Sequence, residues 1–339
     1  MWAAMLHLAI GNALIGILEG LLLAWLFKAP KGRAITFMII ANYFSAWIGG
    51  LLLRGVIVHA LPLDLTNAWK WFWIMVAVTY AMTLVLELPF IIPLLRQSER
   101  PVRRSLRASF VVQSTSYAIL FGWYWVASGT SLYTKMHIVT PTELSLPESV
   151  IVYFIAEDGD VYSARLSSTK PEKIQELHST NKNDRLLVRA NASNPNHWDL
   201  IARVHGDDTR NANIVPVITN LLVQVAPDWR SINGNPEPEG TWFNFGAVTP
   251  LGSATTSDWK FFSGFWSVEG LSGSNMKTGA KVHFSYETPF GSWIVRNAVH
   301  LPSDKVLFQL GDDQICAFDP TKRSVALLWR GRGPVPIIK

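Results

Sequence analysis

Four long apolar runs in the first 127 residues constrain this chain more than any other feature of its sequence. The runs cover residues 2–27, 34–53, 71–95 and 108–127. Each holds about 20 residues or more, and a helix of that length crosses the roughly 30 Å hydrocarbon core of a bilayer. The first run lacks a basic N-terminal region and a small-residue cleavage site, so we expect it to be retained. The sequence therefore predicts a four-helix transmembrane domain over residues 1–127, embedded in the lipid bilayer.

The loops between the runs predict the orientation of the protein. The first loop carries Lys28, Lys31 and Arg33, and the third carries Arg96, Arg100, Arg103, Arg104 and Arg107. The second connection has only Arg54 and Lys70. Loops rich in Lys and Arg stay in the cytoplasm. We therefore expect a multi-pass protein of the cell (inner or cytoplasmic) membrane, with the N-terminus and the C-terminal domain outside the cytoplasm, in a periplasm-like compartment.

Polar side chains interrupt the apolar runs at one depth. Glu19 and Glu87 lie eight residues before the ends of the first and third runs, and Asn42 and Ser116 lie eight residues after the starts of the second and fourth. At 1.5 Å per residue, all four lie about 12 Å inside the boundary. Helical spacing places further polar residues on the same faces: Asn12, Thr83, Gln113 and Tyr117. Four polar faces at one level predict a bundle with a polar centre.

This intramembrane polar layer has more than one interpretation. Ionisable groups in a membrane mark ion paths, proton relays or buried polar contacts. In the structural interpretation, the layer holds the helices together through interhelical hydrogen bonds. In the functional interpretation, Glu19 and Glu87 form a proton- or cation-handling site or a pocket for a polar headgroup. A partner helix that supplies a basic residue is a third possibility, and the sequence leaves the choice open.

Small residues spaced four apart predict close contacts between helices. Gly16 and Gly20 form such a pair in the first run, and Ser45 with Gly49 and Ala46 with Gly50 do so in the second. Small residues at this spacing let helix backbones approach each other. We expect these pairs to pack helices within one chain.

The pattern changes to β-strands after the fourth run. Residues 128–148 are rich in Ser, Thr and Pro and predict a linker, and residues 149–339 predict an extracytoplasmic all-β domain. Alternating segments with turn residues between them predict strands at 151–155, 161–166, 185–190, 198–204, 305–310, 314–318 and 324–329. The fold class is thus membrane α + β. The hairpins resemble β-propeller blades, and a β-sandwich is the alternative.

Charge and motifs exclude several function classes. The first 140 residues hold 11 basic and 4 acidic residues, whereas the remaining residues hold 19 basic and 21 acidic ones. Because the β domain has no excess of basic residues, we predict no nucleic-acid partner. A single cysteine, Cys316, excludes an intramolecular disulfide. Walker, Rossmann, His-Glu-x-x-His and Gly-x-Ser-x-Gly motifs are absent from the sequence. His7 and His59 fall near the outer ends of their helices and His137 just beyond the fourth, so the three could meet at the outer mouth, whereas the other histidines are scattered without ligand spacing. We predict no metal, no cofactor and no catalytic residue.

These observations favour a non-enzymatic function without naming one. We expect a membrane subunit or anchor whose exported β domain binds a protein partner or ligand. The alternative is a small transporter or a proton- or cation-conducting protein that uses the polar layer around Glu19 and Glu87. A membrane enzyme that acts on a lipid or quinone at this layer is a third hypothesis.

Overall fold

Long helices form the N-terminal part of the chain and β-strands form the rest. The computed structural model describes residues 6–52, 63–127, 136–168, 170–191, 193–194, 197–205, 212–227, 246–263, 270–288 and 290–339. The chain divides into two units. The helical unit contains the residues up to 128 together with 287–291, and the β unit contains the remaining residues from 129 onwards.

The described residues of the helical unit include four long helices. They are α1 (His7–Phe27, with a π-helical first turn), α2 (Lys31–Leu52), α3 (Ala68–Leu94) and α4 (Pro101–Ala127). The first three are long and apolar enough to cross a membrane, by length and composition. Membrane-spanning helices are thus supported, whereas the predicted count of four spans is not confirmed. The reason lies in α4, whose apolar run is interrupted by Gln113, Ser114, Thr115 and Ser116.

The helices α1 and α2 are in close contact through the predicted glycine pair. A Cβ atom on Gly16 would lie 2.6 Å from the Cα atom of Ile39, and one on Gly20 would lie 2.6 Å from the backbone nitrogen of Ile35. No side chain larger than hydrogen fits there without a shift of α2. By contrast, a Cβ atom on Gly50 would meet no other atom within 4 Å among the described residues. The close packing is therefore confirmed for the pair in α1 and not for Gly50.

The strands of the described residues belong to four sheets. Their bounds are β1 (His137–Ile138), β2 (Val150–Ala156), β3 (Val161–Arg165), β4 (Glu172–Gln175), β5 (Arg185–Ala190), β6 (Trp198–His205), β7 (Ala212–Leu221), β8 (Gly246–Ala247), β9 (Thr249–Pro250), β10 (Trp259–Ser263), β11 (Leu271–Asn275), β12 (Lys281–Phe284), β13 (Tyr286–Thr288), β14 (Gly291–Trp293), β15 (Val295–Leu301), β16 (Lys305–Leu310), β17 (Gln314–Asp319) and β18 (Ser324–Ile338). A nine-stranded sheet has the order β4-β3-β2-β18-β17-β16-β15-β9, with β1 pairing in parallel with β18. The smaller sheets are β12-β11-β10-β8, β13-β14 and β5-β6-β7.

The long last strand connects two hairpins that the sequence predicts separately. Its first half pairs with β17 and its second half pairs with β2, both antiparallel. The predicted hairpins β2–β3 and β5–β6 and the β16–β17–β18 meander are confirmed. The β18–β2 pairing joins the β2–β3 hairpin to the β16–β17–β18 meander in one curled sheet. A β-propeller is therefore not confirmed.

Two apolar clusters cover opposite faces of the central strand β2. Val152 and Phe154 point into a cluster with residues of β16, β17 and the first half of β18. Tyr153 and Ile155 point into a second cluster with residues of β5 and β6. Successive side chains of a strand face opposite sides, so a strand with a core on each side is apolar at nearly every position. The run 151–155, Ile-Val-Tyr-Phe-Ile, has this composition.

A bend divides β18 into its two halves. The register against β2 shifts between Arg332 and Val335. Gly333 has a φ of +60°, and a Cβ atom there would lie 2.8 Å from the Cα atom of Arg185. Both the left-handed conformation and the close approach favour glycine. The Gly-Arg-Gly-Pro sequence at 331–334 thus lies within a strand.

Candidate functional site

Glu19 is completely buried in α1 and is bound by two other helices. Its Oε2 atom accepts a 2.5 Å hydrogen bond from Nδ2 of Asn42 on α2. Its Oε1 atom accepts a 2.5 Å hydrogen bond from the hydroxyl of Ser116 on α4. The side chain of Glu19 is 0% exposed, and these donors fill both carboxylate oxygens. The carboxylate therefore joins α1 to α2 and to α4.

Glu87 occupies the equivalent position in α3. Its Oε1 atom accepts a 2.6 Å hydrogen bond from the hydroxyl of Ser45 on α2, and its Oε2 atom accepts a 2.5 Å hydrogen bond from Nε2 of Gln113 on α4. Glu87 is also 0% exposed. Both glutamates thus bind the same pair of neighbouring helices.

Together these contacts form a closed ring through all four helices. We call it the glutamate ring, and its members are Glu19, Asn42, Ser45, Glu87, Gln113 and Ser116. On α2 the two donors are three residues apart, and the hydroxyl of Ser45 also lies 3.2 Å from the backbone carbonyl oxygen of Asn42. On α4 the two donors are three residues apart and share one face.

The ring has a two-fold pattern in its donors. Each glutamate receives an amide donor from the helix that follows it in the chain and a hydroxyl donor from the other hairpin. The donors have one spacing on both helices, Asn42-x-x-Ser45 on α2 and Gln113-x-x-Ser116 on α4. The hairpins α1–α2 and α3–α4 therefore repeat one arrangement of acceptor and donors.

The charge of the ring limits its protonation state. The side chains that donate to the two carboxylates are neutral amides and hydroxyls among the residues the structure describes. Two ionised carboxylates within one buried ring would repel each other, and a low dielectric increases the cost of each charge. A proton or a cation must therefore compensate at least one of the two negative charges.

The remaining predicted residues of the layer lie outside the ring. The hydroxyl of Tyr117 lies 3.1 Å from Oγ1 of Thr83, which links α4 to α3. Nδ2 of Asn12 is within 3.4 Å of the carbonyl oxygen of Leu8, one turn earlier in α1. Nδ1 of His7 lies 3.3 Å from the hydroxyl of Tyr124, whereas His59 falls outside the described residues.

Sequence reasoning missed one ring member and two buried hydroxyls nearby. Ser45 is part of a polar stripe in the sequence, but only its repeated spacing from Asn42 distinguishes it from other serines. Ser105 and Ser109 are 0% and 1% exposed, on the face of α4 that also carries Gln113. Counting from the helix start places them between the basic loop and the ring, and no motif indicates them.

The β unit contains a buried polar cluster that the sequence does not predict. Nη2 of Arg332 donates to the carbonyl oxygen and the hydroxyl of Ser179, at 2.7 and 2.6 Å. The Ser179 hydroxyl in turn donates to Oδ2 of Asp184, and Oδ1 of Asp184 accepts from the backbone N–H of His205. Because the serine binds the aspartate and not the histidine, the cluster lacks the serine–histidine contact of a nucleophilic triad.

Burial sets the electrostatics of this cluster. Burial lowers the pKa of the Arg332 guanidinium, whereas the nearby Asp184 carboxylate raises it. Burial and the neighbouring Arg203 lower the pKa of Arg185 to about 10. Both arginines remain cationic at neutral pH, so the cluster is a fixed arrangement of charges. It holds the segment around Ser179 against the bend in β18.

Comparison with known proteins gives no family for this chain. Neither a protein-family model nor a curated protein sequence matches it. Among the residues that the structure describes, no group of three or more His, Cys, Asp or Glu side chains could hold a metal ion.

Proposed function

We propose that this chain is a non-enzymatic membrane anchor or subunit, in which four transmembrane helices carry an exported β unit that binds a protein partner or ligand. Three helices have the length and composition of membrane spans. In this proposal α4 is the fourth, because its 27 residues extend about 40 Å. Four of the polar residues that interrupt its apolar sequence are buried: Ser105, Ser109, Gln113 and Ser116.

The basic loops support the orientation that this proposal requires. Nη2 of Arg104, at the start of α4, donates a 2.8 Å hydrogen bond to the carbonyl oxygen of Phe27, at the end of α1. The loops that follow α1 and precede α4 therefore lie at one end of the helical unit. By the positive-inside rule this end faces the cytoplasm. The chain leaves α4 at the opposite end, which makes the β unit extracytoplasmic.

The observation that carries the proposal is the saturation of the glutamate ring. Each carboxylate oxygen of Glu19 and Glu87 accepts a hydrogen bond from a neighbouring helix. Interhelical hydrogen bonds of this kind stabilise membrane bundles. A ring of hydrogen bonds that closes through four helices is what a rigid anchor needs.

The proposal is tested on the full-length chain in its native membrane. Cross-linking through lysines of the β unit, such as Lys260, Lys277 and Lys281, is followed by mild extraction and native mass spectrometry. We expect one stoichiometric companion, with cross-links that map to the β unit. The E19Q/E87Q double variant should retain this companion, since glutamine keeps one acceptor oxygen at each position.

Two outcomes would overturn the anchor proposal. One is a chain that is extracted alone and gives no cross-links from the β unit to another molecule. The other is a companion that is lost from the E19Q/E87Q variant while the variant remains folded, since that would place the interaction at the ring.

A second candidate function, proton or cation handling, is favoured by the charge of the ring. Two buried carboxylates with neutral donors need a compensating positive charge, and such residues in membrane segments mark ion and proton paths. Reconstituted vesicles distinguish this function from the first. A flux that wild-type protein supports and E19Q/E87Q protein lacks would favour it, and equal flux in both would exclude it.

A further inference from the structure

We propose that ordered water connects the basic end of α4 to the glutamate ring through Ser105 and Ser109, so that the ring exchanges protons with that side of the membrane. The inference goes beyond the anchor function, which requires only that the ring be closed. It concerns the ring alone and is independent of what the β unit binds.

The first observation is that these two hydroxyls are buried without partners. Oγ of Ser105 and Oγ of Ser109 have no hydrogen-bond partner among the described residues, although the side chains are 0% and 1% exposed. Hydroxyls in a helix usually bond the carbonyl oxygen four residues earlier. Ser114 and Thr115 on the same helix do so, at 2.7 and 2.9 Å. Ordered water inside proteins binds to otherwise unsatisfied buried polar groups of this kind.

The second observation is the spacing of these hydroxyls. Ser105, Ser109 and Gln113 follow one another at intervals of four residues, which places them on one face of α4. Each interval is a rise of about 6 Å. One water molecule that hydrogen-bonds on both sides spans about 5.6 Å. A single water between each successive pair therefore completes a hydrogen-bonded chain.

The chain ends at the ring because Gln113 is a ring member. Nε2 of Gln113 donates to Oε2 of Glu87 at 2.5 Å. The other end of the chain lies in the second turn of α4, one residue after Arg104 and two residues before Arg107. The rest of this face is apolar, since Ala108 and Val112 belong to the core cluster of the helical unit. The hydroxyls are thus the polar groups of α4 that bridge the apolar layer between loop and ring.

The exchange itself moves only protons. The water beside Gln113 gives a proton to a carboxylate oxygen of Glu87 and becomes hydroxide, and protons passed along the Ser109 and Ser105 hydroxyls and the other waters neutralise that hydroxide. Gln113 holds this water by a hydrogen bond and does not itself carry the proton, and the reverse sequence releases the proton. The charged group that faces Glu87 is Glu19. The other groups around the pair are hydroxyls and amides, with Tyr117 the nearest further ionisable side chain on α4.

The test uses full-length protein in lipid vesicles and infrared spectroscopy. The carboxylic-acid C=O band of the ring is identified as the band absent from E19Q/E87Q protein, and its shift is followed after transfer into D₂O. We expect exchange to be at least tenfold slower in the S105A/S109A variant than in wild-type protein. T115A, which removes a hydroxyl from the exposed face of α4, should exchange at the wild-type rate. S105T/S109T restores both hydroxyls and should restore the rate.

Two results would overturn the inference. Equal exchange rates in wild-type and S105A/S109A protein would show that protons reach the ring by another route. If wild-type and E19Q/E87Q protein show the same carboxylic-acid C=O bands, the ring holds no exchangeable proton. Neither result bears on companion binding by the β unit, so the two proposals can fail separately.

Discussion

Asn42 donates a 2.5 Å hydrogen bond from its Nδ2 atom to Oε2 of Glu19 and thereby links α2 to α1. The same nitrogen lies 2.9 Å from the carbonyl oxygen of Met38, so the amide is held on its own helix as it binds the carboxylate. Both side chains are buried. The contact is one of four that close the glutamate ring, and its strength is measurable.

We expect a double-mutant cycle of N42A and E19A to give a coupling energy of about 0.5–2 kcal/mol, the range for interhelical hydrogen bonds in membranes. The measurement is the free energy of unfolding in mixed micelles. A cycle of N12A with E19A is the control, because Asn12 bonds the backbone of its own helix. A coupling near zero for Asn42 would mean that the ring does not stabilise the bundle.

Replacement of Gly20 by alanine should destabilise the helical unit by about 1–3 kcal/mol, because overpacking forces a backbone shift. The new methyl group would collide with the backbone of Ile35. G50A is the matched control, since its Cβ atom meets nothing within 4 Å among the described residues and alanine favours helix. Denaturant titration in micelles compares the two variants. Equal stability of G20A and G50A would contradict the close contact of α1 with α2.

Two arginines on β18 should differ sharply in their contribution to stability. Arg332 is 9% exposed and binds Ser179, whereas the ion pair of Arg330 with Asp313 is partly exposed. We expect R332M to lower the free energy of unfolding by about 1–3 kcal/mol, because it leaves the buried oxygens of Ser179 without their donor. R330M should cost about 0–1 kcal/mol. Urea unfolding, followed by tryptophan fluorescence, measures both, and similar losses would contradict the assigned role of Arg332.

The stabilising effect of Asp160 should depend on pH. The Lys173 ammonium group 2.7 Å away, with the backbone N–H groups of His178 and Leu177, holds the pKa of Asp160 well below its ordinary value of 3.8. A carboxyl with a lowered pKa stabilises the fold above its unfolded pKa and loses this effect as the pH falls through the folded pKa.

Wild-type protein should therefore be more stable than D160N at pH 7, with a difference that stays constant down to about pH 5 and shrinks below about pH 4. Thermal unfolding at pH 7, 5 and 2.5 measures it. K173M should remove most of this pH dependence, because it removes the main cause of the shift. A difference that is the same at all three pH values would show that Asp160 is not held ionised.

Local signals account for the parts of the β unit that could be predicted from sequence. The β2–β3 hairpin follows from two short strand-forming segments and from the turn at Gly159 between them, which has a φ of +85°. Turn residues act within a few positions of the chain, so a sequence reports them directly. The pairing of β18 with β2 joins residues that are more than 170 positions apart. No local signal encodes that pairing, and it decides that the hairpins share a sheet.

The glutamate ring shows the same division between sequence and tertiary structure. The rise per residue of a helix is constant, so counting along the apolar runs was enough to place Glu19, Asn42, Glu87 and Ser116 at one depth. The rotation of each helix about its axis depends on how neighbouring side chains pack. Tertiary structure therefore decided that Asn42 and Ser116 bind Glu19 and that Ser45 and Gln113 bind Glu87. Sequence determined the level of the polar layer, and packing determined its partners.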